Sequence, residues 1–222
     1  MPAKQPRRLG RPPATSSVET RSRVLDVARA AFAEQGWEVT TNKHVAAKAG
    51  ITPAALYHYF DSKLEMYLAV FDDVEAFVDA RFEEAMAASD TFVGKFRAVL
   101  EAAYAMNAAD PSLARFLGSA RVDITRHSEL SAAMVERRRP GAEIVERLVK
   151  EGIATGELPK DRRLEAQLYL RTILVGLNDA VSHDLREQRA AIDGVIAVLE
   201  GRLVDVRVAR KNGGVRRRPA PR

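Results

Sequence analysis

TTNKHVAAKAGITPAALYHYFDSK, residues 40–63, is the stretch whose reading decides the fold. A two-helix DNA reader needs a first helix that rests across the phosphate backbone and a tight turn that sets the angle. It then needs a second helix whose N-terminal end enters the major groove. The stretch supplies these three parts in order. Thr40 and Thr41 are N-cap candidates for a short helix containing Val45, Ala46 and Ala49. Gly50 permits the backbone of a turn, Ile51 can plug the gap between helices, and Ala46 and Ala49 are small where helices cross. Thr52 can cap a third helix over residues 53–59, with Pro53 at its first position. Spacing alone fits many other soluble helix pairs equally well.

On the N-terminal side, Val24, Leu25, Ala28, Ala31 and Phe32 recur at intervals of three and four, the signature of one helical face. Gly36 ends that helix, and Trp37 is placed to cover the core. Residues 1–17, rich in Pro, Arg, Ser and Thr, read as a flexible basic arm. On the C-terminal side, Asp61 or Ser62 can cap a fourth helix running from Lys63 through Leu64, Tyr67, Leu68 and Phe71. Asp90 or Thr91 opens a segment with Phe92, Phe96, Val99, Leu100 and Ala103 on one face, and Asp110-Pro111 starts another through Leu113, Phe116 and Leu117. Residues 130–150 read as helix, bent or interrupted at Pro140-Gly141. Gly152, Gly156 and Pro159 mark a connection before two helices over 162–183 and 186–206. The expected fold is all-α: arm 1–17, helix-turn-helix domain 18–64, larger helical domain 65–206, basic disordered tail 207–222.

Charge divides the chain in the same way. The net +5 is the balance of +5 over residues 1–63, −7 over 64–206 and +7 over 207–222. Basic ends around an acidic middle favour a polyanion partner for the ends. No apolar run approaches the length of a membrane span, and residues 1–20 lack the apolar core of a secretion signal. The absence of cysteine excludes disulfides and thiolate metal sites and fits a cytoplasmic protein. His44, His58, His127 and His183 stand in no metal-ligand spacing, and there is neither a phosphate-cradling Gly loop nor a nucleophile elbow. No catalysis, metal or cofactor is expected. The run Arg137-Arg138-Arg139 beside Glu136 reads as a solvated face.

RVLDVA (23–28), FAEQGW (32–37), Thr40-Thr41, VAAKAG (45–50) and LYHYFDSK (56–63) together resemble the N-terminal domain of the TetR family of transcriptional regulators. The Leu-Tyr-x-Tyr-Phe-x-Ser-Lys stretch is the most specific part. Beyond about residue 75 the resemblance is one of helical layout and length. It implies that Thr41, Asn42 and Lys43 meet phosphate at the start of the second helix, Thr41 serving equally as a plain cap. It implies that Thr52, Pro53, Ala54 and Ala55 face the groove, where apolar contact with thymine methyls carries much of the readout. Tyr57, His58 and Tyr59 occupy positions the family uses for phosphate and base contacts, and Lys63 a position it uses for phosphate. Leu56 and Phe60 belong to the core. In the arm, Gly10-Arg11-Pro12 is a compact unit that could slide Arg11 into a narrow minor groove, or could be part of a solubilising tail.

One helix-turn-helix covers few base pairs, so affinity and specificity usually require two. The resemblance suggests that the final two helices pair with their copies as a four-helix bundle in a homodimer. The candidate interface is Leu170, Ile173, Leu174, Leu177, Val195, Ile196, Leu199 and Leu203, with Leu168 on the same apolar helix; all of these could instead complete one chain's core. It also implies a pocket for a small apolar effector, with Phe77, Phe92, Phe96, Tyr104, Met106 and Phe116 as lining or as plain core. The function expected is sequence-specific repression at a palindromic double-stranded DNA operator, relieved by effector. The competing expectation is an architectural protein that binds duplex DNA with little sequence preference.

Overall fold

The computed structural model of the protein describes residues 14–135 and 142–203. Arg11, the run 137–139 with Glu136, the Pro140-Gly141 step and the tail 207–222 lie outside the described residues. Helix α1 (Ala14–Val39) begins inside the segment read as an arm. It buries the face expected of it, Val24, Leu25, Ala28, Ala31 and Phe32. Gly36, at φ 73° and ψ 179°, leaves the helical path in a region that only glycine enters readily. Trp37 then folds back on Phe32, with ring centroids 6.1 Å apart. Thr40 is buried, and its hydroxyl faces the Gly36 and Ala31 carbonyls at 2.8 and 3.2 Å. It closes the end of α1, which leaves the cap of the next helix to Thr41.

Helices α2 (Asn42–Lys48), α3 (Pro53–Tyr57) and α4 (Lys63–Met86) follow. At the head of α4 the Ser62 hydroxyl accepts from the Glu65 N–H at 3.0 Å. The Glu65 carboxylate accepts from the Asp61 N–H at 2.6 Å in return, a variant of the capping box. The remaining helices are α5 (Phe92–Ala109), α6 (Pro111–Arg126), α7 (Ser128–Ala133), α8 (Ala142–Ala154), α9 (Arg163–Ala180) and α10 (Leu185–Leu199), with a 3-10 turn at Lys160–Arg162. No strand occurs among the described residues, so the chain is all-α as expected. The helix expected over 130–150 is two, α7 and α8. α10 stops short of residue 206 because Gly201 (φ 67°) reverses the chain: Arg202 N–H donates to the Ala197 carbonyl at 2.7 Å and Gly201 N–H to Val198 at 3.0 Å.

Two compact units result. The first comprises the described residues up to Phe77 together with those between Ser112 and Pro140. Tyr67 of α4 is its hub, 4.8 Å from Phe32, 5.2 Å from Trp37 and 5.5 Å from Phe116 by ring centroid. α6 therefore packs with the helices that carry the reader, and Phe116 is a core residue of this unit.

The second unit holds Val78–Pro111 and the described residues after Gly141. Phe96, Val99 and Leu100 of α5 are buried, as are Ile144, Leu148 and Val149 of α8. The close approach at Gly152 is tight: a Cβ there would lie 2.9 Å from the Leu158 and Phe92 side chains. Asn107 and Gln188 form a buried polar pair, Asn107 Nδ2 donating to Gln188 Oε1 at 3.0 Å and to the Ser182 carbonyl at 2.7 Å. The interface expectation needs correction here. Leu170, Leu177 and Ile196 are buried within their own chain, where α9 packs against α8 and α10. Ile173, Leu174, Val195 and Leu199 are half-buried, and Leu203 is exposed. The outward face of α9 carries a second set, Leu164 (64% exposed), Leu168 (43%) and Val175 (37%), and α10 carries Val198 (48%).

Candidate DNA-reading site

Local hydrogen bonding accounts for the shape of the reader. Thr41 is extended and its hydroxyl accepts from the His44 N–H at 3.2 Å, which caps α2. At the other end of α2, Ile51 N–H donates to the Ala46 carbonyl at 3.0 Å and Gly50 N–H to Ala47 at 3.2 Å. This pair of bonds is a Schellman ending, and it places Gly50 at φ 70°. Thr52 then caps α3, accepting from the Ala55 N–H at 3.1 Å, with Pro53 at the first turn. Arg23 Nε, donating to the Ala49 carbonyl at 3.1 Å, fastens α1 to the same turn.

Leu56 and Phe60 turn into the core, and that choice fixes what α3 offers to solvent. Thr52, Pro53, Ala54, Tyr57 and His58 are exposed, Tyr57 by 50%, and Ala55 and Tyr59 are half-buried. Thr41 and Lys43 are exposed at the start of α2. Asn42 is half-buried with its Oδ1 turned inward and without a partner. Chemically, this end of α3 presents a hydroxyl, a phenol, an imidazole and small apolar groups, a mixture suited to methyl contact and phosphate hydrogen bonds.

Lys63, expected at phosphate, makes contacts within the chain. Its ammonium donates to the Trp37 carbonyl at 2.7 Å and lies 4.3 Å from the indole centroid. Burial lowers its pKa, against the nearby Glu129, Glu38 and Asp123. Half-buried, it is a tie at the base of the reader. Sequence reasoning also passed over Asp123 and Glu129, whose carboxylates accept from Trp37 N–H at 2.9 Å and from Trp37 Nε1–H at 3.0 Å. No local signal marks either residue, since their partner lies 86 and 92 positions away.

A family model described as "Bacterial regulatory proteins, tetR family" matches residues 24–70, the span from α1 through the reader into α4. The reader, residues 24–70, belongs to the TetR family. The chain's likeness to single TetR-type proteins extends beyond the reader. It is 23% identical over 192 residues to the HTH-type transcriptional regulator UidR of Escherichia coli K12, covering 84% of this chain and 94% of that one. It is 29% identical over 110 residues to the nucleoid occlusion factor SlmA of Pasteurella multocida, a match covering 49% of this chain and about half, 55%, of SlmA. Its fold is similar to the crystal structure of the regulator FadR of Bacillus subtilis in complex with stearoyl-CoA, with a TM-score of 0.64, 21% identity and coverage of 79% and 97%. TetR regulators bind DNA operators and act as dimers. The chain is a DNA-binding transcriptional regulator with a TetR-type reader.

Of the expected pocket residues, Phe92 borders an apolar cleft of about 320 Å³ in the second unit that Leu158, Ala166, Tyr169, Leu170 and Leu199 also line. Phe96 is sealed in the core, and Tyr104 lies under the Arg189 guanidinium at 4.1 Å. Met106 is half-buried on α5, and Phe77 is exposed on α4 in the first unit. Among the described residues no cluster of side chains could hold a metal ion, and no helix is long and apolar enough to cross a membrane.

Proposed function

We propose that this protein is a repressor that reads a two-fold-related operator as a homodimer and releases it when a small apolar effector binds. The observation that carries the reading is the division of α3, with Leu56 and Phe60 inside and Thr52, Pro53, Ala54, Tyr57 and His58 outside. Thr41, Asn42 and Lys43 contribute phosphate contacts from α2, and Ala55 and Tyr59 border the surface that α3 lays in the groove. Arg11 follows the minor groove beside it.

Dimerisation is assigned to the outer face of α9 and α10. Leu164, Leu168, Val175 and Val198 form apolar surface that one chain leaves exposed, which water disfavours. Half-buried Ile173, Leu174 and Val195 border it. A dimer seated on an operator keeps other proteins from that DNA, which supports repression, and a regulator of bacterial DNA acts in the cytoplasm. The structure of FadR is a complex with stearoyl-CoA, and the apolar cleft of the second unit is assigned here to an apolar effector. Release is a population shift, and a tenfold loss of operator affinity needs about 1.4 kcal/mol of differential effector binding.

Selection from a random duplex pool with the full-length chain tests the reading. Recovery of a two-fold-related motif, lost in Tyr57→Ala, is the expected result. Binding that falls steeply with salt and enriches no motif would sink it in favour of an architectural protein.

A further inference from the structure

Trp37 is the single tryptophan of the chain, and each of its polar atoms is held by a different helix. Its backbone N–H donates to Asp123 Oδ2 on α6 at 2.9 Å, in a buried setting. Its indole Nε1–H donates to Glu129 Oε1 on α7 at 3.0 Å. Its carbonyl accepts from Lys63 Nζ, the first residue of α4, at 2.7 Å. The last of these bonds closes a loop over residues 38–62, which contains the whole reading pair. α2 and α3 thus leave from and return to one point, and α6 and α7 hold that point.

Asp123 lies in the last turn of α6, near Arg126 and His127. It is 8% exposed, and burial raises its carboxyl pKa above the usual carboxylate value. The Trp37 N–H, His127, Arg126 and Lys63 oppose that rise. A carboxylate at Asp123 is therefore costly unless its bond to Trp37 has a use. It also abuts the kink itself: a Cβ on Gly36 would lie 3.4 Å from Asp123 Oδ1.

We propose that Asp123 and Glu129 are positioning residues of the DNA reader, holding both N–H groups of Trp37 and so setting the direction in which α2 and α3 leave α1. The proposal rests on the DNA-reading function given above. A misdirected reader keeps its attraction for phosphate but loses register on the bases. Loss of the clamp therefore reduces the preference for operator over random duplex more than it reduces binding as such.

The test uses the full-length chain with a duplex carrying the selected motif and a random duplex, and reads Trp37 fluorescence in parallel. Asp123→Ala is expected to lower the operator-to-random affinity ratio by about tenfold, the scale of one buried hydrogen bond, and to shift Trp37 emission to the red. Asp123→Asn keeps an oxygen that accepts from Trp37 and is expected to restore both readings. Glu129→Ala, at an exposed position, is expected to alter Trp37 emission and lower the ratio by about threefold. Should Asp123→Ala fail to fold, Glu129→Ala decides. An unchanged ratio and emission in the folded alanine variants would overturn the proposal, as would an Asn variant no better than Ala. A parent chain with no preference for any motif would overturn the DNA-reading function first, and this proposal with it.

Discussion

Gly36 and Gly50 both have positive φ, yet they answer to different constraints. Gly50 (φ 70°) has nothing within 4 Å of a Cβ position, so an alanine there meets only backbone strain of about 1–2 kcal/mol. Gly36 combines φ 73° with ψ 179°, where side chains are essentially excluded, and faces the Asp123 carboxylate. Gly36→Ala is expected to destabilise the protein by about 1–3 kcal/mol, and each kcal/mol lowers the thermal midpoint of a chain this size by about 2–4 °C. Calorimetry of the two alanine variants checks the order. A Gly36→Ala midpoint above that of Gly50→Ala would mean that the kink relaxes without cost. The same residue-level physics makes the reader legible from sequence. Thr41, Gly50, Thr52 and Pro53 act on backbone groups two to five positions away, so their meaning survives without the rest of the fold.

Helix α9 has two apolar stripes, and only one is used inside the chain. Leu170 at 1% exposure and Leu177 at 9% face inward, whereas Leu164, Leu168 and Val175 face outward. From sequence both stripes look alike, since each repeats at helical spacing, and residues of both are expected at the interface between copies. The neighbours decide: α8 and α10 pack against the side that carries Leu170 and Leu177. The two stripes predict opposite phenotypes. Leu170→Ala is expected to cost about 2–5 kcal/mol of stability through the cavity it leaves. Leu168→Glu is expected to leave the fold intact and to shift the chain from dimer to monomer, read by sedimentation velocity with the thermal midpoint as control. A Leu168→Glu chain that still sediments as a dimer would remove this face from the interface.

At the scale of the whole molecule, charge and structure divide the labour. The basic excess lies in residues 1–63 and 207–222, while 64–206 carry −7. Deleting residues 207–222 removes +7. If every one of those charges neutralises a phosphate, the slope of log affinity against log salt becomes shallower by about six. The expected outcome is a shallower slope and weaker binding to random duplex, with the selected motif unchanged. Anisotropy titrations over a range of salt measure it; an unaltered slope would mean that the tail does not touch DNA.

By itself the sequence determined the all-α class, the helix-turn-helix with its caps and turn, and the inward assignment of Leu56 and Phe60. Each of these follows from spacings of one helical turn or from a hydrogen bond that closes within a few residues. Only the tertiary structure decided that Lys63 ties down Trp37, that Asp123 and Glu129 hold the same residue from α6 and α7, and which stripe of α9 is spare. Those outcomes depend on which distant helix supplies the partner, and periodicity is silent about that. A lysine, an aspartate and a leucine at helical spacing look the same in sequence whether they end at solvent, at an indole or in a core.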